Sequence, residues 1–365
     1  MTVVPTEIPP KPAAGKLQTL VYVLHSSDMY GTERVALATA QGLADSFTTI
    51  FMGPPGMAME EARRRGFEAL EYRTSKDLAR ILRPILRDHE SFTFVATGPR
   101  YSFVCMALNV LYRRKIRQIQ IVHGGAGEKQ DYARKKFLSP FNIMFITVSD
   151  YSKKKLASWN VPADQIEIVL NFLPAEQVAA APKRGVFNGP PKNAVVSSRT
   201  ADLKRLDVLM DAMDYEPRLA DFPIDVLGDG DELEKLRARA LADHPNVRFH
   251  GYQGNVAEWY AKADLLVHTC PTEQFGLVII EAFAARIPVL CPDQGGTACL
   301  VQDGVNGFLF RANDPRHLAR RLLELRQADP QLLNRVVARA AEDLATKYSA
   351  EMSLHRYREL FSQPS

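Results

Sequence analysis

DLLVHTCPTEQFGLVIIEAFAARIPVLCP, residues 264–292, reads as strand, loop, helix and strand in close succession. DLLVHT (264–269) is a short apolar run of the kind that forms a buried strand, and IPVLCP (287–292) is another. Between them the segment from Gly276 to Arg286 has helical character and is entered through a Gly-containing turn. A strand–helix–strand crossover of this length pairs its strands in parallel, so both faces of the sheet need helices. This unit predicts an α/β fold.

The same alternation extends outward in both directions. LVYVLH (20–25), TTIFMG (48–53), FTFVAT (92–97), IQIVHG (119–124), MFITVS (144–149) and IEIVLNF (166–172) form a first series of strand signals, with helical patterns between. AVVSSR (194–199), PIDVLGDG (223–230), VRFHGY (247–252), the two runs above and FLFR (308–311) form a second. PAEQVAAAPKRGVFNGPPKN (174–193), rich in Pro and Gly, separates the two series and reads as a linker. The expected organisation is a disordered tail over 1–17, a first domain over 18–173, the linker over 174–193 and a second domain over 194–345. A final helix within 346–365 is expected to return to the first domain. Two doubly wound, Rossmann-like domains facing each other across a cleft fit this order, with chemistry at the carboxyl ends of the strands.

At 365 residues the chain exceeds the size of one growing core, and its 46% hydrophobic and 24% charged residues are those of a globular protein. Four cysteines without a CxxC pair argue against a disulfide framework or zinc site and suit a reducing compartment. The N-terminal MTVVPTEIPPKPAAGK lacks the apolar stretch of a signal peptide, and nothing resembles a membrane span. A cytoplasmic location, at most peripheral to the inner face of the plasma membrane, is the expectation. Residues 1–170 hold 23 Lys and Arg against 16 Asp and Glu; the remainder holds 23 against 26. The surplus gathers in RRKIR (113–117), ARKKF (133–137) and KKK (153–155), which suit either an anionic membrane surface or plain solvation.

Glu281 stands inside a nearly all-apolar helix beside Val278, Ile279, Ile280 and Phe283. A carboxylate there needs good hydrogen-bond donors, and the vicinal hydroxyls of a ribose supply two; pairing with a cation or a backbone amide is the plainer alternative. Glu273, eight residues earlier, lies in the loop before the helix, where it faces another part of the same ligand. The helix N-terminus between them favours an anion such as a diphosphate. His123 ends an apolar strand before Gly124 and Gly125. Asp229-Gly230-Asp231 has the look of a metal-binding pair, but within a Gly-rich strand-to-helix turn it reads more simply as a connection.

TEQFGLVIIEAFAARIPVL resembles the Glu-x7-Glu signature of the family 4 retaining glycosyltransferases, which have the GT-B fold. Other segments resemble further motifs of that family in the same order: YGTERVALATAQGL (30–43), IVHG (121–124), VSDYSKK (148–154), IVLNFL (168–173), SSRTADLKRLDVLMDA (197–212) and LGDGDE (227–232). The resemblance covers about residues 18 to 360. It implies that Arg199 and Lys204 clamp a donor diphosphate, Glu281 holds the ribose, Glu273 holds the transferred sugar and His123 touches that sugar at the reaction centre. Gly31, Thr32, Phe275, Gly276, Leu277 and Gly228 complete the implied nucleotide-sugar site. It further implies a UDP- or GDP-linked donor as substrate, no cofactor, no metal, a glycan or lipid-linked acceptor and no nucleic-acid partner. Ser198, Arg205, Gln274 and the TACLV stretch (297–301) depart from the family pattern, which leaves the donor sugar open. A different GT-B enzyme, such as an epimerase or phosphorylase, and a non-catalytic sugar-nucleotide-binding protein remain as alternatives.

Overall fold

The computed structural model describes residues 17–123, 132 and 134–364. The tail, apart from Leu17, and the pair Gly124 and Gly125 lie outside the described residues. The first domain is a seven-stranded parallel sheet of β1 (Gln18–Val23), β2 (Phe47–Gly53), β3 (Glu68–Glu71), β4 (Ser91–Ala96), β5 (Lys115–Val122), β6 (Met144–Thr147) and β7 (Ile166–Ile168). Its order is β3-β2-β1-β4-β5-β6-β7. The second is a six-stranded parallel sheet of β8 (Ala194–Ser197), β9 (Ile224–Leu227), β10 (Val247–Gly251), β11 (Leu266–Val267), β12 (Val289–Pro292) and β13 (Phe308–Phe310). Its order is β10-β9-β8-β11-β12-β13.

Each sheet reverses its winding once, at β1/β4 in the first domain and at β8/β11 in the second. Helices leave opposite faces at such a point and open a crevice beyond the strand ends. The central strands are continuous apolar runs because both faces are covered: Leu20, Val21 and Val23 of β1 and Leu266 and Val267 of β11 are fully buried. β3, EALE, has no such run and is absent from the sequence expectation. It is a sheet-edge strand with both ends exposed, so little apolar patterning is required of it.

The stretch 174–193 is less open than its composition suggests. It carries a short helix, Ala175–Ala180. Arg184 then pairs with Asp264 at 2.7 Å and lies 3.9 Å from the ring centroid of buried Phe187. The Arg184 N–H donates to the Ala285 carbonyl at 2.9 Å, so the stretch is packed onto the second domain. After the long helix Pro330–Thr346 the chain returns: Tyr357, Leu360 and Phe361 of the helix Ala350–Ser362 are buried with β1 and β2 residues in the first domain's core. The Thr93 hydroxyl donates to the Phe361 carbonyl at 2.8 Å, and Ser353 donates to the Leu170 carbonyl at 2.9 Å.

Candidate functional site

A cleft of about 1510 Å³ runs between the two sheets at the carboxyl ends of their strands. All eleven residues expected from the sequence line it: Gly31, Thr32 and His123 from the first domain, and Arg199, Lys204, Gly228, Glu273, Phe275, Gly276, Leu277 and Glu281 from the second. The helices Gly31–Gly42 and Leu277–Ala285 begin at this cleft. Their first turns nearly touch, since a Cβ built on Gly31 would lie 3.2 Å from Leu277 Cδ1. Two sets of unsatisfied N–H groups therefore converge on one spot, which favours a bound anion. Gly276 makes the entry to the second helix possible. Its φ is +92°, and a Cβ there would sit 2.7 Å from Thr297 Cγ2.

The cationic side of this spot comes from the loop after β8. Arg199 follows the strand, and its guanidinium carbon lies 6.0 Å from the centroid of the Tyr30 ring across the cleft. Lys204 ends the 3-10 turn Asp202–Lys204 and precedes the helix Leu206–Tyr215. The Lys204 ammonium donates to Glu273 Oε2 at 2.5 Å, with both side chains about one-fifth exposed. Burial opposes charge on each partner, yet each stabilises the other's charged form. Glu273 is held at about 2 and Lys204 is raised above its ordinary range. Fully buried His268 stands 3.9 Å from the same carboxylate and is held down at about 4, chiefly by desolvation. His268, Cys270 and Glu273 place ligand-type atoms within 4.8 Å of one another. The ammonium already seated on Glu273 would repel a second cation there.

Glu281 has the cationic partner that the plainer alternative called for. Its carboxylate accepts from Arg34 of the first domain at 2.9 Å and from the Tyr260 hydroxyl at 3.4 Å, while its side chain keeps 11% exposure to the cleft. Its cation therefore comes from across the cleft, with acceptor capacity left for a ligand. His123 directly follows β5 and has a buried Nε2 with no hydrogen-bond partner among the described residues. Desolvation and then the like charge of His25 hold its imidazole down at about 3, so it faces the cleft neutral. Gly228 has a packing reason of its own, because a Cβ there would lie 1.9 Å from the Ser198 carbonyl oxygen. Asp229 accepts from the Gly230 N–H at 2.7 Å, and its carbonyl accepts from the Thr200 N–H at 3.0 Å. The Asp-Gly-Asp turn is thus part of the scaffold of the Arg199 loop.

Residues 178–343 match the family described as glycosyl transferases group 1. The matched stretch spans less than half of the chain and lies mostly in the second domain. A D-inositol 3-phosphate glycosyltransferase of Streptomyces avermitilis is 36% identical over 216 residues, which cover 51% of this chain and 46% of that protein. An N-acetyl-alpha-D-glucosaminyl L-malate synthase of Bacillus anthracis is 30% identical over 140 residues, 37% of this chain and 36% of that protein. The chain thus spans less than half the length of these curated relatives. The structure of Anabaena HepE in complex with UDP and glucose superposes with a TM-score of 0.79 at 17% identity, covering 95% of this chain and all of HepE. The two domains together have the GT-B fold.

Sequence reading missed Arg34, Tyr260, His25 and the interdomain role of Gln274. Gln274, noted only as a departure, takes a 2.7 Å hydrogen bond from the Tyr132 hydroxyl on its side chain and a 2.6 Å one from Ser149 Oγ on its carbonyl. Ser149 also caps the helix Asp150–Ser158, so the loop bearing Glu273 is tied to the first domain. Arg34 was within reach of the sequence, being three residues past Gly31 in a quoted motif. Its partner, 247 residues away, was not.

Proposed function

We propose that the protein transfers a hexose from a UDP- or GDP-linked donor to a hydroxyl of an acceptor, with retention of anomeric configuration. The observation that carries this reading is the convergence of Arg199, Lys204 and two helix N-termini on one spot, flanked by Glu273 on one side and Glu281 on the other. The diphosphate takes that spot, the ribose hydroxyls reach Glu281 and the sugar lies by Glu273 and His123. Similarity to the glycosyltransferases above, and to a structure that holds UDP and glucose, supports the assignment.

In the reaction the bond from the anomeric carbon to the departing phosphate oxygen breaks, and the acceptor oxygen bonds to that carbon on the same face. The acceptor's proton passes to the released phosphate. Negative charge grows on the diphosphate, and Arg199, Lys204 and the helix dipoles are in place to receive it, so this neutralisation needs no metal. Glu273, held ionised by Lys204, accepts from sugar hydroxyls and steadies positive charge at the reacting carbon. A glycan or lipid-linked acceptor at the inner face of the plasma membrane, in synthesis of bacterial surface glycans, glycolipids or polysaccharides, fits the basic runs of the first domain. Nucleoside diphosphate should appear only when both donor and acceptor are supplied, and NMR of the product should show the donor's anomeric configuration. Lys204→Ala should lower kcat roughly 100- to 1,000-fold at saturating donor. Release at an equal rate without acceptor, an inverted product or unchanged turnover in Lys204→Ala would each refute the assignment.

A further inference from the structure

We infer that the face formed by the helix Pro99–Tyr112 and the 3-10 turn Lys136–Phe141 docks on an anionic lipid surface, leading from that surface to the mouth of the cleft. The helix buries Tyr101, Ser102, Cys105 and Leu108 against the sheet. Phe103, Ala107, Val110 and Leu111, at helical spacing on another side, are exposed, with Val110 at 73% and Leu111 at 78%. The neighbouring turn adds Phe137 and Phe141, each more than half exposed. The three exposed phenylalanines among the described residues all belong to these two elements. A helix with one face packed on its domain and an apolar stripe left outward is suited to lie in a membrane interface.

Charge selects the occupant. Residues 91–149 contain nine Lys and Arg against two acids, Glu128 and Asp131. Arg113 and Lys115 are exposed at the end of the helix, and Arg134 and Lys136 beside the turn. A second copy of this face would set like charges against each other, whereas anionic headgroups complement them. The first turn of the helix gives Arg100, Tyr101 and Phe103 to the cleft lining, so the apolar stripe is continuous with the cleft mouth. That continuity bears on acceptor delivery only through the transfer reading above; the docking itself stands apart from it.

Co-sedimentation of the full chain with vesicles tests this. Wild type should pellet with phosphatidylcholine vesicles containing phosphatidylglycerol and stay in solution with phosphatidylcholine alone. The double substitution Val110→Asp/Leu111→Asp should weaken partition at least about tenfold, and Lys115→Glu/Lys136→Glu should weaken it and flatten its salt dependence. Thermal melting and the shift produced by UDP or GDP should be unchanged in both variants, which separates lost docking from misfolding. A protein that docks but shows no nucleotide response would refute the transfer reading and leave this one standing. Equal binding to neutral vesicles, or wild-type binding by Val110→Asp/Leu111→Asp, would overturn the inference. So would a dimer in sedimentation velocity that this substitution abolishes.

Discussion

Desolvation keeps His268, which is buried, and His123, which is half-buried with its Nε2 shielded, neutral at physiological pH, and the consequence is measurable. An unfolded histidine takes up its proton near 6.5, whereas burial holds His268 at about 4 and His123 at about 3. Between those limits the unfolded chain binds more protons than the folded one, so stability must fall as pH drops below about 6.5. Each histidine sets a slope of up to about 1.4 kcal/mol per pH unit. Glu273 acts in the same direction at lower pH: its stabilisation is present above 4.5 and is lost toward about 2. Melting temperature should therefore decline from pH 7.5 to 5.5, and His268→Asn should decline less over that interval. A flat profile in wild type would show that these rings are hydrated.

At the scale of elements, the site depends on how the helix Leu277–Ala285 is entered. Gly276→Ala would strain a backbone at φ +92° and press a methyl on Thr297. The expected cost is about 1–3 kcal/mol in a urea unfolding series, with weakened nucleotide binding. Unchanged stability would mean that the turn relaxes without consequence. This strand–loop–helix unit was the most legible part of the sequence, because two apolar runs and a Gly turn mark its strands and its helix. The turn that ends at Lys204 was not legible, since short 3-10 turns leave no periodic signal. β3 was missed because an edge strand needs no apolar alternation, and the Ala175–Ala180 helix because a Pro- and Gly-rich stretch hides one turn. What the sequence could not show is pairing across the cleft. Arg34 with Glu281, and Tyr132 and Ser149 with Gln274, exist only once two domains face each other.

Across the whole molecule these pairings and the returning helix Ala350–Ser362 connect two sheets that each bring a winding reversal to one cleft. The first domain supplies one helix N-terminus, His123 and Arg34; the second supplies Arg199, Lys204 and both glutamates. The cleft is complete only with both halves, since Arg34 of the first pairs with Glu281 of the second. The proposed transfer requires a nucleoside diphosphate to lie there with its ribose on Glu281. Calorimetric titration of UDP and GDP into wild type and Glu281→Gln tests that most directly. Saturable binding of at least one nucleotide, weakened about tenfold or more in Glu281→Gln, is the predicted result. Binding of neither nucleotide, or equal binding by the two proteins, would contradict it.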